Sequence, residues 1–178
     1  MTEDKSRSFP SSPRNDGFKP QAYTDTETNS GGINMRNYKC GNHPEIRDFG
    51  QQPFVFDINH AATMNNNYRT ALWTGRKMQL TLMSIPVGGD IGLEMHSDVD
   101  QFIKIESCFA KVFMGKRRDD LKFVCCADSN FAVIVPTGTW HNVVNAGQTP
   151  LKVFSLYAPP NHPFGTLQAT KADAEKYE

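Results

Sequence analysis

Two strings in this 178-residue chain bring together residue types that ligate metal ions. Gly92-Leu93-Glu94-Met95-His96-Ser97-Asp98-Val99-Asp100-Gln101 offers a carboxylate, an imidazole and a side-chain amide. About forty residues on, Pro136-Thr137-Gly138-Thr139-Trp140-His141 offers a second imidazole. Two histidine nitrogens, one carboxylate oxygen and one amide oxygen form a coordination set for a divalent transition metal. With no thiolate, this set is hard and selects Mn, Fe, Ni or Zn over copper, one ion per subunit. Taken singly, His96 and His141 read as ordinary histidines near strand ends. Taken with their turns, Glu94, His96, Gln101 and His141 read as one site.

That site makes demands on the backbone. Glu94 and His96 are two residues apart, so on a strand they project from the same face. Gln101 lies beyond the turn-forming Ser97-Asp98-Val99-Asp100 and can return to the same side. Asp98 and Asp100 read as turn formers rather than bases. Pro136-Thr137-Gly138 is a rigid turn that fixes where His141 points. The two strings can meet only if their strands close on each other, as in a barrel.

The surrounding sequence has the texture such a barrel needs. Residues 69–74, 78–85, 101–106, 110–114, 121–126, 131–135 and 151–157 read as short strands with turn residues between them. In the third of these, Gln101, Ile103 and Ile105 share one face. Phe102, Lys104 and Glu106 share the other, where Lys104 and Glu106 look outward or pair. The expected fold class is therefore all-β, an antiparallel sandwich or barrel over residues 68–178. A short C-terminal helix, from Lys171 to Lys176, would cap its surface. Residues 51–67 form a lead-in segment in which Asp57 caps a short helix. Residues 1–50 make a polar, largely irregular N-terminal extension. This is either a solvated tail or an arm docking on a neighbouring subunit through Phe9, Phe18 and Tyr23.

Composition excludes several functions. Lys plus Arg and Asp plus Glu number 19 each, giving a net charge of zero. No basic stripe invites nucleic acid. The start, MTEDKSRSFPSSPRNDG, lacks the apolar core of a signal peptide, and no stretch approaches the roughly 20 apolar residues of a membrane span. A cytoplasmic protein without membrane association is expected. Cys40, Cys108, Cys125 and Cys126 show no CxxC spacing and read as reduced thiols, with Cys125 and Cys126 on opposite faces of a strand.

From about Tyr68 to Lys176 the chain resembles a cupin, a double-stranded β-helix or jelly-roll barrel. Pro136, Gly138, His141 and Asn145 match the second cupin motif. In the first motif Gly88 matches the opening glycine and His96 the second histidine. Glu94 stands at the leading histidine, and Gln101 at the usual glutamate. The chain departs at Asn130-Phe131, where Gly-Asp is usual, and at Ser107 to Ala110, which lacks the usual glycines. Asn130 could accept the left-handed turn instead. The His-x-Asp-x-Asp-Gln string and Tyr157-Ala158-Pro159-Pro160 are similar to small single-domain bacterial cupins labelled mannose-6-phosphate isomerase-like.

The resemblance implies a bound metal, a homodimer paired through barrel edges and an isomerase-type reaction on a small, polar, sugar-like substrate. The alternatives it leaves are a dioxygenase using Fe or Ni, or a non-catalytic sugar-binding or assembly cupin. In the isomerase reading, Tyr157 and His162 are the candidate catalytic acid and base at the barrel mouth, and Trp140 packs the rim. Phosphate recognition has no residues of its own, since Lys116-Arg117-Arg118 lies in a hairpin beside Asp119-Asp120.

Overall fold

Side chains that alternate at a period of two can line two different surfaces, and the strands here use both. A computed structural model describes residues 46–176. Residues 1–45, which hold Cys40 and most of the expected extension, lie outside the described residues. In chain order the elements are α1 (Ile58–Met64), β1 (Arg69–Thr74), β2 (Gln79–Ile85), β3 (Asp100–Ser107), β4 (Ala110–Gly115), β5 (Lys122–Ala127), β6 (Ala132–Val135), β7 (Trp140–Asn145), β8 (Leu151–Ala158), β9 (Leu167–Gln168) and α2 (Lys171–Ala174). They form a six-stranded sheet, ordered β6-β3-β8-β2-β1-β9, and a three-stranded sheet, ordered β5-β4-β7. Every pairing is antiparallel. Two isolated bridges, Asp90 with Val144 and Glu94 with His141, extend the smaller sheet past β7.

The two sheets enclose one apolar core, to which Met83, Ile85, Ile103, Ile105 and Val153 contribute from the larger sheet and Val112 and Val143 from the smaller. The outward residues of the larger sheet bury a second cluster. There Leu72, Leu80, Leu82, Phe154 and Leu156 meet Ala62 of α1, Phe54 of the lead-in, and Ile46 and Phe49 from the last residues of the expected extension. The end of the extension is anchored by Phe49 N–H donating to Leu72 C=O. Asp57 caps α1 as the sequence suggests, accepting from the His60 amide at 2.9 Å.

The inward face changes character along the strands. On β3 it runs Gln101, Ile103, Ile105; on β8, Tyr157, Ser155, Val153; on β2, Gln79, Thr81, Met83. Register places Gln79 beside Tyr157 and Tyr157 beside Gln101. One end of the barrel is therefore apolar filling and the other a buried polar chamber.

Some elements differ from expectation. Residues 140–145 form a full strand, β7, which is absent from the strands expected from the sequence. Residues 94–96 are not a regular strand; Glu94 forms a single bridge and the chain bends on either side. Asn130 does not take a left-handed conformation. Among the described non-glycine residues only Cys108 has a positive φ, at 75°. No helix among the described residues is long and apolar enough to cross a membrane.

Candidate metal centre

The smaller sheet sets the position of three donors. Glu94 N–H donates to His141 C=O at 3.2 Å, and His141 N–H donates to Glu94 C=O at 3.0 Å. Paired this way, two residues stand directly opposite with side chains on one face. Gly138, at φ 77°, closes the turn before β7, and its N–H donates to His96 C=O at 2.7 Å. Asp100 fastens the same turn by accepting from both the amide and the hydroxyl of Thr137, each at 2.9 Å. Asp100 is thus a turn fastener rather than a base.

These contacts bring Glu94, His96 and His141 together, with one donor atom from each lying within 4.8 Å of the others. A first-row dication bound at about 2.1 Å would draw such atoms to roughly 3–3.5 Å, a small closure. Nδ1 of His141 lies 3.0 Å from Thr139 C=O. A carbonyl only accepts, so Nδ1 carries the hydrogen and the Nε2 lone pair faces the site. Glu94 Oε1, His96 Nε2, His141 Nε2 and Gln101 Oε1 are all buried without a hydrogen-bond partner. Buried polar atoms are seldom left so, and four donors in this state fit a cation. Gln101 itself is buried on the inward face of β3.

Electrostatics keep the donors in their ligating forms. Burial pushes the Glu94 carboxyl up, but the close contact with His96 and the charge of Arg69, with His141 behind them, outweigh it and hold the group below the usual carboxylate value. Arg69 Nη2 lies 3.9 Å from Glu94 Oε1, and His96 Nε2 lies 3.3 Å from Glu94 Oε2. Burial lowers His141 against the opposing pull of Thr139 C=O and Glu94, which favours the neutral ring.

Tyr157 and His162 stand beside this cluster. The Tyr157 ring meets His96 edge-on at 5.8 Å between centroids, and His162 meets Tyr157 edge-on at 5.0 Å. Burial, followed by the negative charge of Glu94, raises the Tyr157 phenol, which stays protonated. Burial and then the Arg69 charge lower His162 to about 3, so its ring is neutral at physiological pH. Tyr157 Oη and His162 Nε2 likewise lack hydrogen-bond partners. A cavity of about 700 Å³ opens onto the group, with Glu94, His96, His162 and Arg69 in its wall and Trp140 at its side. The Arg118 guanidinium lies over the Trp140 ring, 5.8 Å from its centroid.

No protein-family model matches the chain. It is 57% identical over 129 residues to the uncharacterized protein YrkC of Bacillus subtilis, spanning 72% of this chain and 69% of YrkC. The chain belongs to the YrkC family. The crystal structure of BH2720 from Bacillus halodurans is similar at 49% identity and a TM-score of 0.72, over 74% of this chain and 99% of that one. An uncharacterized conserved protein of Klebsiella pneumoniae with a double-stranded β-helix domain shares the fold, at a TM-score of 0.50 and 17% identity over 65% of this chain and 92% of that one. The chain thus has the double-stranded β-helix fold expected from its sequence.

Two residues of this YrkC relative carry the site without standing out in its sequence. Arg69 opens β1 with its side chain wholly buried, donating to Gln168 at 3.3 Å beside Glu94. Gln79, also wholly buried, donates to His162 C=O at 2.9 Å and accepts from His162 N–H at 2.9 Å and from Asn161 N–H at 3.3 Å. A lone Arg or Gln at the head of a strand reads as a solvent-facing end. The available signal is alternation: Gln79, Thr81 and Met83 run in phase with the inward Ile85.

Proposed function

We propose that this YrkC-family protein is a metal-dependent cupin enzyme of isomerase type, acting on a small substrate with adjacent hydroxyl and carbonyl groups. The observation that carries it is the set of four buried donor atoms, on Glu94, His96, Gln101 and His141, that lack hydrogen-bond partners. Those residues would hold one divalent ion, Mn, Fe, Ni or Zn. Bound there, the metal supplies Lewis acidity that polarises a carbonyl oxygen.

The remaining chemistry belongs to the chain. An isomerisation of this type moves one proton from the carbon bearing the hydroxyl to the neighbouring carbonyl carbon and another from the hydroxyl oxygen to the carbonyl oxygen. His162, with Nε2 unpaired in the cavity wall, is the group placed to take the proton. Tyr157, held protonated, donates a hydrogen bond to the oxygen on which charge develops. The expected sugar-like substrate enters this reading through its reactive hydroxy-carbonyl unit.

Elemental analysis of the natively purified chain tests the reading. About one equivalent of Mn, Fe, Ni or Zn is expected, together with exchange of the substrate C–H for solvent deuterium by NMR. A chain with no stoichiometric metal overturns it. The two-histidine, one-carboxylate set is also that of non-haem iron oxygenases, which favours a dioxygenase as the second reading. Oxygen uptake stoichiometric with substrate, without deuterium exchange, would decide for that alternative.

A further inference from the structure

The walls of the cavity change chemistry between floor and mouth. At the floor are Glu94 and His96. At the mouth stand Leu93, Met95, Phe164 and Leu167, all exposed, the last two at 67% and 60%. Leu93 and Met95 flank Glu94 in sequence, so the segment that carries the carboxylate to the floor also sets apolar groups at the rim. Phe164 comes from the loop that carries His162, and Leu167 opens β9 just after it. Exposed apolar side chains grouped around one opening mark a binding surface more strongly than the same residues scattered. A three-carbon hydroxy-carbonyl compound would occupy a small part of about 700 Å³ and touch none of this rim.

The floor has its own requirement. Among the four proposed protein ligands only Glu94 is anionic, so a dication keeps positive charge that this set does not neutralise. Arg69, 3.9 Å from Glu94, draws on the same carboxylate. A buried charge without compensation is costly, and an anionic oxygen from the substrate relieves it. A dication held by these four protein donors could take further oxygen ligands, which a carboxylate and an adjacent oxygen would supply together.

We propose that the hydroxy-carbonyl unit of the substrate sits next to a carboxylate and carries a hydrophobic side chain, as in a 2-oxo-3-hydroxy acid, with the carboxylate and the adjacent oxygen on the metal and the apolar body against Leu93, Met95, Phe164 and Leu167. This rests on the metal site of the preceding section and names the substrate class for it.

The test uses the full chain loaded with Co(II), with metal content measured first. Binding of 3-phenyllactate, lactate, 3-phenyl-1,2-propanediol and mannose is followed by calorimetry and by the visible Co(II) absorption, which reports a change at the ion. Burying a phenyl group is worth about tenfold or more in affinity. So 3-phenyllactate should bind at least about tenfold more tightly than lactate, for want of the apolar body, and than the diol, for want of the charge. It should also shift the Co(II) bands. Phe164→Ser with Leu167→Ser, both at exposed positions, should abolish the advantage of phenyllactate over lactate while leaving metal content and the lactate-induced bands unchanged. Equal affinity for lactate and phenyllactate, a diol that binds as tightly as the acid, or mannose as the tightest ligand each overturns the proposal in a loaded protein. A chain that takes up no cobalt overturns the metal reading first, and the proposal with it.

Discussion

Glu94 and His141 face each other across an antiparallel bridge and exchange both backbone hydrogen bonds, at 3.2 and 3.0 Å. The spacing of two proposed metal ligands is therefore set by main-chain pairing, with no help needed from either side chain. His141→Ala should keep the fold, because the bridge survives, and should lose the metal. An affinity loss of at least about 100-fold is expected, since removal of a ligand exceeds the 10- to 100-fold cost of losing a supporting partner. Chelator competition with circular dichroism checks both halves. Retention of full metal by the variant would remove His141 from the site.

Gln101 distinguishes a ligand from a bystander. Gln101→Glu replaces a neutral oxygen donor by an anionic one of the same shape. If Gln101 binds the ion, this change should tighten metal binding about tenfold or more, because the added charge lies at bonding distance. Gln101→Leu should weaken it. Identical affinities for wild type and both variants would reduce Gln101 to a buried wall residue.

The fold and the meeting of Glu94, His96 and His141 were legible for the same reason: alternation and turn residues act locally. Gln101, Ile103 and Ile105 do face inward together, and Lys104 does pair with Glu106, at 3.6 Å. Cys125 and Cys126 sit opposite Val112 and Lys111, respectively. The hairpin charges pair within the turn, Arg117 with Asp119 and Lys122 with Asp120. What stayed hidden depends on contacts between distant segments. β7 shows itself only through its pairing with β4, where Val143 stands opposite Val112. Arg69 is buried because Gln168, 99 residues away, and Glu94 receive it. Asn145 matches the second motif, yet its role appears only in the fold. Its amide donates to Ile85, Pro86 and Thr149 carbonyls and its oxygen accepts from Gly147.

Gln79 positions His162 through both of its backbone groups. Gln79→Leu should leave those groups buried and unpaired, lowering stability by about 2–4 kcal/mol in urea unfolding. Metal content should not change, because no proposed ligand touches Gln79. Equal urea midpoints would mean that the loop holds its shape without this clamp.

Cys108 occupies a left-handed conformation, at φ 75°, in the stretch that lacks the usual cupin glycines. Its thiol lies 3.2 Å from Thr149 C=O and 3.6 Å from Asn145 Oδ1, both weak contacts for sulfur. Relief of backbone strain should outweigh them. Cys108→Gly is expected to raise stability by up to about 1 kcal/mol, read from thermal unfolding. A destabilised variant would show that the thiol contacts matter more than the strain.

Acid should destabilise the metal-free protein, with a sign fixed by three groups. His162 is lowered to about 3 from 6.5, so between those values the unfolded chain holds a proton that the folded chain refuses. Stability contributed this way rises with pH across that window, by at most about 1.4 kcal/mol per pH unit, and is flat above it. His141, also lowered, acts with the same sign. Glu94 is lowered too, so its contribution is present above its ordinary 4.5 and is lost as pH falls through its folded value. Unfolding midpoints in chelator should therefore fall as pH drops from about 6.5, and more steeply once Glu94 joins below 4.5. His162→Asn should shallow the upper part of that fall without abolishing it, because His141 remains, and should leave the lower part in place. A variant with the wild-type slope between pH 5 and 6.5 would show that His162 titrates normally.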